Sequence, residues 1–418
     1  MQIDDRGDMA YVNRVADDEL GMALARAGAV LIEGPKASGK TSTASRRAAS
    51  SVRVDTDPTV LPQILVDPSM VLEGARPRLL DEWQVHPELW NAVRRAVDDA
   101  PERGQFILTG STVPGADAVR HSGAGRFARL RMRTLSLAES GDSDGNVSLS
   151  ALLEGEPPRA GVSRLTFDGL LARIARGGWP AQIGLKDVEA LASTRDYAAT
   201  ISTVDIGSTR SVRDPLRVDR LLRALARSVG TEVSISTLAR DEASLSRDSV
   251  REYIDALTRI FVVEDQPAWS AHLRSSAMLR KEPKRHLADP SLALALLGAD
   301  ATALRGDLAF AGQAFESQVV HDLRILAQPL GGEVFHARDS VGREVDVIVQ
   351  FPSGRWAGFE VKLGASAHVV EEAAASLRAF AANVASEDPP VLTVVTGFGP
   401  SYRRPDGINV VAFGAFGP

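Results

Sequence analysis

The sequence predicts an α/β protein in three parts, and three observations carry that expectation. The chain is 418 residues long, which is too long for one typical core, so two or three domains are expected. Short apolar runs alternate with helical stretches as far as about Leu137, the pattern of a parallel sheet covered on both faces. Strand patterns return from about Leu308, after a long helical middle.

The first domain, residues 1–140, rests on the runs Ala29-Val30-Leu31-Ile32, Arg78-Leu79-Leu80-Asp81 and Phe106-Ile107-Leu108-Thr109, with helical stretches such as 87–98 between them. Residues 141–165 are rich in Gly, Ser, Asp and Pro and read as a linker. Residues 166–300 are mostly helical. Within them, 234–239 and 246–257 have the spacing of two short helices, and Ile260-Phe261-Val262-Val263 reads as a strand after them, an order that resembles a winged helix. The third domain, 301–418, opens with helical spacing over 313–326, which puts Phe315, Val319, Leu323 and Leu326 on one side. Strands are expected over 345–350 and 356–362, joined by a hairpin at 351–355. A helix over 369–380 and a buried strand over 391–395 follow.

Composition narrows the chemistry. The apolar fraction of 44% and charged fraction of 24% are those of an ordinary globular chain. The absence of cysteine excludes disulfides, cysteine-ligated zinc and thiol catalysis, and fits a reducing cytoplasm. No apolar run approaches the roughly 18 residues of a membrane span, and residues 1–8 lack a signal-peptide pattern, so a cytoplasmic protein with no membrane partner is expected. The net charge of -6 argues that any DNA contact is local. Only six lysines occur, Lys36, Lys40, Lys186, Lys281, Lys284 and Lys362, among 48 basic residues.

Gly34-Pro35-Lys36-Ala37-Ser38-Gly39-Lys40-Thr41, followed by Ser42, matches the phosphate loop G-x-x-x-x-G-K-[ST], and it lies where it must, between a strand and a helix. The glycines let backbone N–H groups face inward, and the following helix aims its positive end at the same place. Lys40 is expected on the β and γ phosphates of ATP, and the Thr41 hydroxyl on Mg2+. The apolar run ending in Asp81-Glu82 supplies the second half: Asp81 to hold Mg2+ and Glu82 to polarise the attacking water. Thr109 and Ser111 are candidates for sensing the γ-phosphate or capping a strand end. Arg126 is a candidate to stabilise transferred charge, in its own subunit or in that of a homo-oligomeric neighbour, against the alternative of a solvated arginine-rich face that also includes Arg129.

These residues, in this order, resemble the bacterial and archaeal AAA-like P-loop ATPases that carry a C-terminal DUF4143 domain. The further carriers are Leu108-Thr109-Gly110-Ser111, Gly125-Arg126, Gly177-Gly178-Trp179-Pro180, Val250-Arg251-Glu252-Tyr253-Ile254, His286-Leu287-Ala288-Asp289-Pro290, residues 312–316 and residues 342–362. The resemblance implies an AAA-type P-loop core, a winged-helix-like middle and a C-terminal domain like the PD-(D/E)xK (restriction-endonuclease) fold.

The carboxylates near the C-terminus fit that fold. Asp346 and Glu360-Val361-Lys362 form D-x13-E-x-K on two adjacent strands, and Glu360 and Lys362 share a face because side chains alternate. Glu316, on the preceding helix, is a candidate third ligand. Together Glu316, Asp346 and Glu360 are expected to hold Mg2+, with Lys362 beside it, as in a magnesium-dependent nuclease. The alternative is a nuclease-like domain without catalysis, which binds DNA or a protein partner as a regulator or antitoxin. Arg240, Arg247 and Arg251 are candidates for phosphate contacts. His321, His336 and His368 lack metal-ligand spacing and read as ordinary residues.

Overall fold

The computed structural model describes residues 11–100, 102–112, 123–202, 214–241, 245–270, 282–339, 342–384 and 388–418. The N-terminal part runs α1 (Val15–Arg26), β1 (Ala29–Glu33), α2 (Lys40–Arg47), β2 (Ser50–Arg53), α3 (Val60–Val66), β3 (Arg78–Asp81), α4 (Glu88–Asp99), β4 (Phe106–Gly110) and β5 (Phe127–Arg131). Its five strands form one parallel sheet in the order β2-β3-β4-β1-β5. Alternate residues of each strand feed two cores. Ile32, Leu79, Ile107 and Leu130 pack with Leu20 and Ala44 on one face, and Leu31, Leu80 and Leu108 pack with Trp83, Trp90 and Val93 on the other. The central strands β1 and β4, covered on both faces, are buried almost throughout, whereas the edge strands β2 and β5 carry exposed polar residues. Parallel pairing also brings the C-terminal ends of β1, β3 and β4 to one edge, with β4 between the other two.

Residues 141–165 are not a free linker. After α5 (Leu137–Ser140) come β6 (Val147–Ser148), α6 (Leu149–Leu153) and β7 (Gly161–Val162). Val147, Leu149 and Leu152 are buried in the C-terminal core, and β7 adds to the C-terminal sheet. The Gly/Ser/Pro richness marks tight turns here, and three buried aliphatic side chains anchor the segment.

The middle part runs α7 (Phe167–Arg176), α8 (Asp187–Thr200), α9 (Pro215–Arg227), β8 (Thr231–Glu232), α10 (Ile235–Asp241), α11 (Arg247–Arg259), β9 (Val263–Gln266), β10 (Lys284–Leu287) and α12 (Pro290–Leu297). The three short strands pair antiparallel in the order β8-β10-β9. The expected strand at Ile260 starts three residues later. α11 runs to Arg259, and the chain then turns through Phe261, which has a left-handed φ of 61°.

The C-terminal part follows: α13 (Ala301–Gly306), α14 (Leu308–Ala327), β11 (Glu333–Arg338), β12 (Glu344–Gln350), β13 (Trp356–Lys362), α15 (Ala367–Ala381), β14 (Val391–Thr396), β15 (Pro400–Arg403), β16 (Asn409–Ala412) and β17 (Phe416–Gly417). Its sheet has the order β11-β12-β13-β14-β16-β15-β7. β11, β12 and β13 pair antiparallel, while β13, β14 and β16 pair parallel. α14 was expected to bury one side and is buried all round from Ala314 onward, apart from the half-buried Glu316, with Gln318, His321, Asp322 and Arg324 inside as well. Polar side chains survive there only because each finds a partner.

Candidate functional site

The phosphate loop joins the end of β1 to the first turn of α2. Gly39 takes a φ of 93°, which favours glycine. Gly34 is required for a different reason: a Cβ there would lie 2.2 Å from the carbonyl oxygen of Met132. Lys40 folds into the loop, where its Nζ donates to the carbonyls of Gly34 at 3.1 Å and Pro35 at 2.7 Å. Burial lowers its pKa to about 8, against the opposing pull of the Glu82 and Asp81 carboxylates. Ser38 is buried and donates to the Pro35 carbonyl, whereas Lys36, Ala37 and Ser42 are exposed on the outer side.

Asp81 ends β3 beside this loop. Its Oδ1 accepts from the Thr41 hydroxyl at 2.8 Å and from the Thr109 hydroxyl of β4. Thr109 in turn accepts from the Glu82 backbone N–H at 3.3 Å. Glu82 has a left-handed φ of 57°, an uncommon state for a glutamate that turns the chain sharply after the strand. Its Oε2 accepts from Gln84 Nε2 and, at 3.5 Å, from the Ser111 hydroxyl. Lys40, Thr41, Asp81, Glu82 and Thr109 therefore converge on one edge of the sheet. The paired oxygens of Thr41 and Asp81 fit a hard cation such as Mg2+.

Arg126 does not join them. It precedes β5, which runs parallel to β1 with Ala29 opposite Phe127 and Glu33 opposite Arg131. Arg126 thus stands at the far end of the sheet, roughly 16 Å along the strand from the phosphate-loop edge. It is exposed there and pairs with Asp98 at 2.7 Å. The arginines that do approach the loop are Arg131, at the right end of the same strand, and Arg14. Arg14 is buried and donates to the carbonyls of Ser38 at 2.9 Å and Arg133 at 2.8 Å, while its Nε pairs with Glu139 at 3.1 Å.

Behind the loop, buried polar contacts tie all three parts together. The Thr134 hydroxyl bonds Asp289 at 2.7 Å and His321 Nε2 at 2.8 Å. His321 Nδ1 meets Asp322 at 2.9 Å, and Asp322 accepts from the Leu137 N–H at 2.8 Å. Asp289 also accepts from the Gly178 and Ser291 N–H groups. Burial pushes its pKa up, but His321, Arg173 and these donors hold it below the ordinary carboxylate range. A second link is Arg133, whose guanidinium grips Glu264 with bonds of 3.1 and 2.6 Å and reaches Gln328 at 2.8 Å.

In the C-terminal part, Glu316, Asp346, Glu360 and Lys362 do come together, with Lys284 of β10 as an unforeseen fifth member. Lys284 Nζ lies 2.5 Å from Glu316 and 3.7 Å from Asp346. Lys362 Nζ lies 2.9 Å from Glu360, and Asp346 accepts from the Val361 N–H at 2.8 Å. Burial, then repulsion by Asp346, pushes the Glu316 and Glu360 carboxyls up to about 7. The expected Mg2+ ligands thus form an ion-pair cluster with an ammonium among them. Among the described residues no three His, Asp or Glu side chains are grouped to hold a metal. Gln266 of β9 closes the contact by donating to the Asp346 carbonyl at 3.0 Å.

Family models match three stretches of the chain. Residues 26–141 match an AAA domain, 168–303 a domain of unknown function, DUF8612, and 311–416 a domain of unknown function, DUF4143. Along the chain, the stretch that matches the AAA domain thus comes ahead of the one that matches DUF4143. The uncharacterized proteins Rv2008c of Mycobacterium tuberculosis and Mb2031c of Mycobacterium bovis are each 29% identical over 361 residues, which is 85% of this chain and 74% of theirs. Among solved structures, the Walker-type ATPase paby2304 of Pyrococcus abyssi is similar at 14% identity and a TM-score of 0.43, over 69% of this chain and 96% of that one. The AAA domain therefore holds the phosphate loop, and the DUF4143 domain holds Glu316, Asp346, Glu360 and Lys362. Lys284 reaches that cluster from the DUF8612 stretch. Among the described residues no helix is long and apolar enough to cross a membrane.

Proposed function

We propose that the protein is a magnesium-dependent ATPase whose nucleotide state is passed through the middle segment to a nuclease-like, DNA-directed C-terminal domain. The observation that carries the ATPase reading is the convergence of Lys40, Thr41, Asp81 and Glu82 on one sheet edge. Residues 34–42 wrap the phosphates with backbone N–H groups, and Lys40 leaves the Gly34 and Pro35 carbonyls to meet the β and γ oxygens. Thr41 and Asp81 are the residues to hold Mg2+, which supplies charge neutralisation at the phosphates. Glu82, fixed by Gln84 and Ser111, orients the attacking water and draws its proton. Phosphate release by purified protein tests this. Lys40→Ala should abolish binding and turnover. Glu82→Gln should still bind ATP while turnover falls by roughly 10²–10⁴-fold, and wild-type turnover in Glu82→Gln would overturn the assignment.

The DNA-directed reading is supported by the succession α14-β11-β12-β13-α15-β14, with a carboxylate contributed by α14, β12 and β13 in turn. A second reading, a nucleotide switch that binds a protein partner without cutting DNA, is favoured by Lys284, which already neutralises the carboxylates. Supercoiled plasmid incubated with Mg2+, with and without ATP, separates them. Cleavage that is lost in Asp346→Ala supports the nuclease, whereas intact plasmid with continued ATP turnover supports the switch.

A further inference from the structure

A guanidinium stays charged at any physiological pH, and a buried charge without an anion is costly. Arg131 comes close to that position, because the carboxylates of Glu264 and Glu33 act on it only across space while burial weighs against its charge. Its Nε is buried without a hydrogen-bond partner. Its neighbours are served: Arg129 pairs with Glu33 at 3.2 Å and Arg133 with Glu264 at 2.6 Å. Arg131 ends β5 opposite Glu33, and the next residue packs against the first glycine of the phosphate loop. Among the described residues its guanidinium lies over the ring of Phe261, 3.9 Å away. Phe261 is held there in its left-handed conformation, two residues beyond the end of α11.

We propose that Arg131 contacts the terminal phosphate of the nucleoside triphosphate bound in its own chain, and that it signals that phosphate to the middle segment through Phe261. This rests on the ATP-binding reading above. The γ-phosphate then supplies the directly bonded anion that Glu264 and Glu33, acting across space, do not. Arg131 and Lys40 share one electrostatic neighbourhood, since the arginine's charge contributes to lowering the lysine's pKa. A diphosphate lacks the group, so Arg131 distinguishes ATP from ADP. Movement of the guanidinium toward phosphate takes it off the ring, which frees the turn that follows α11.

The test is equilibrium binding of fluorescent ATP and ADP analogues to wild type, Arg131→Met and Arg131→Gln, with thermal unfolding of each protein without nucleotide. Arg131→Met keeps the apolar contact on Phe261 and removes a buried guanidinium whose Nε has no hydrogen-bond partner, while Arg133 and Arg324 still serve Glu264, so it should unfold close to the wild-type temperature. Its affinity for ATP should fall by about tenfold to a hundredfold, the size of a lost charge-assisted contact, while ADP binding is unchanged. Arg131→Gln should show the same split. In Phe261→Leu the preference for ATP should persist, but the change in hydrogen exchange over residues 247–266 on adding ATP should disappear. A role in packing alone predicts the reverse for Arg131→Met: lower stability and equal loss of both nucleotides. Equal ATP and ADP affinities relative to wild type in both Arg131 variants overturn the inference while leaving the ATPase reading intact. A wild type that binds neither nucleotide overturns both.

Discussion

At the edge of the N-terminal sheet, Asp81 is held by two threonine hydroxyls and Glu82 by an amide and a serine, while Lys40 donates to backbone carbonyls. At the C-terminal sheet, Glu316 is taken by Lys284 and Glu360 by Lys362. Both sites combine lysine with paired carboxylates on strand ends, yet they differ in who satisfies whom. Neutral donors fix a carboxylate without cancelling its charge, so the first site keeps opposite charges apart and available to a charged ligand. Ammonium groups offset much of it, so in the second site Lys284 and Lys362 already occupy the place beside the carboxylates that a cation would take. Like chemistry on two sheets thus gives one site that waits for a ligand and one that must lose a partner before it can take any.

The sharpest test of that contrast is Lys284→Met. Removing one partner of a buried pair typically costs about 3–5 kcal/mol, and denaturant unfolding in the presence of a chelator should show a loss of that order. Millimolar Mg2+ or Mn2+ should recover part of it, because a divalent cation can replace the ammonium between Glu316 and Asp346. An unchanged stability would mean that the two sites are not opposites after all. The same cluster sets a pH dependence. Glu316 and Glu360 ionise near 7 when folded and near 4.5 when unfolded. Between these values the folded state holds the extra proton, so the cluster's contribution to stability should decline as pH rises from about 4.5 to about 7 and stay level above that.

The joint between the two sites comes next in size. Asp289→Ala strands the Gly178 and Ser291 N–H groups inside the protein and leaves the Thr134 hydroxyl with His321 alone, and an unfolding free energy lower by about 2–4 kcal/mol is expected. Equal loss in isolated measurements of ATP binding and of DUF4143 thermal protection would make Asp289 a shared support. Loss confined to one domain would break its role as a joint.

At the phosphate loop itself the expected change is smaller and reversible. Lys40 loses its proton near pH 8 in the free protein, whereas phosphate binding requires the cation. Below about pH 8 the affinity for ATP should be level. Above it, binding must draw a proton from solvent, and affinity should fall by up to about tenfold per pH unit. A titration of fluorescent ATP across that range checks the sign, and affinity that rises with pH would refute it.

What the sequence disclosed follows the same division. Residues 34–41 were legible because consecutive residues dictate one backbone path, and Asp81, Glu82 and Thr109 because each ends an apolar run. Asp346, Glu360 and Lys362 were legible as a pattern, but Lys284 was not, since its partners lie 32 and more residues away in another part of the chain. Arg14 and Glu139 are 125 residues apart, and nothing marks one arginine among so many. His321 read as ordinary, yet it stands in the buried joint with Thr134 and Asp322. A histidine's role inside a helix depends on which neighbours pack against it, and helical periodicity gives only the side it faces.

The smallest expected effect belongs to Arg126, and it bears on where the first site ends. In the sequence Arg126 reads as a candidate to stabilise transferred charge, and only the parallel direction of β5 reveals that it lies at the edge of the sheet away from its own phosphate loop. Its surface pair with Asp98 is the kind of ion pair that contributes little. Arg126→Ala should therefore leave ATP turnover unchanged at every protein concentration, whereas Arg131→Met changes it. Turnover that falls in Arg126→Ala, and does so more strongly as concentration rises, would mean that a second copy receives this arginine at its own phosphate loop. The first site would then be incomplete in a single chain, and the contrast with the C-terminal cluster, whose lysines come from the same chain, would be wider still.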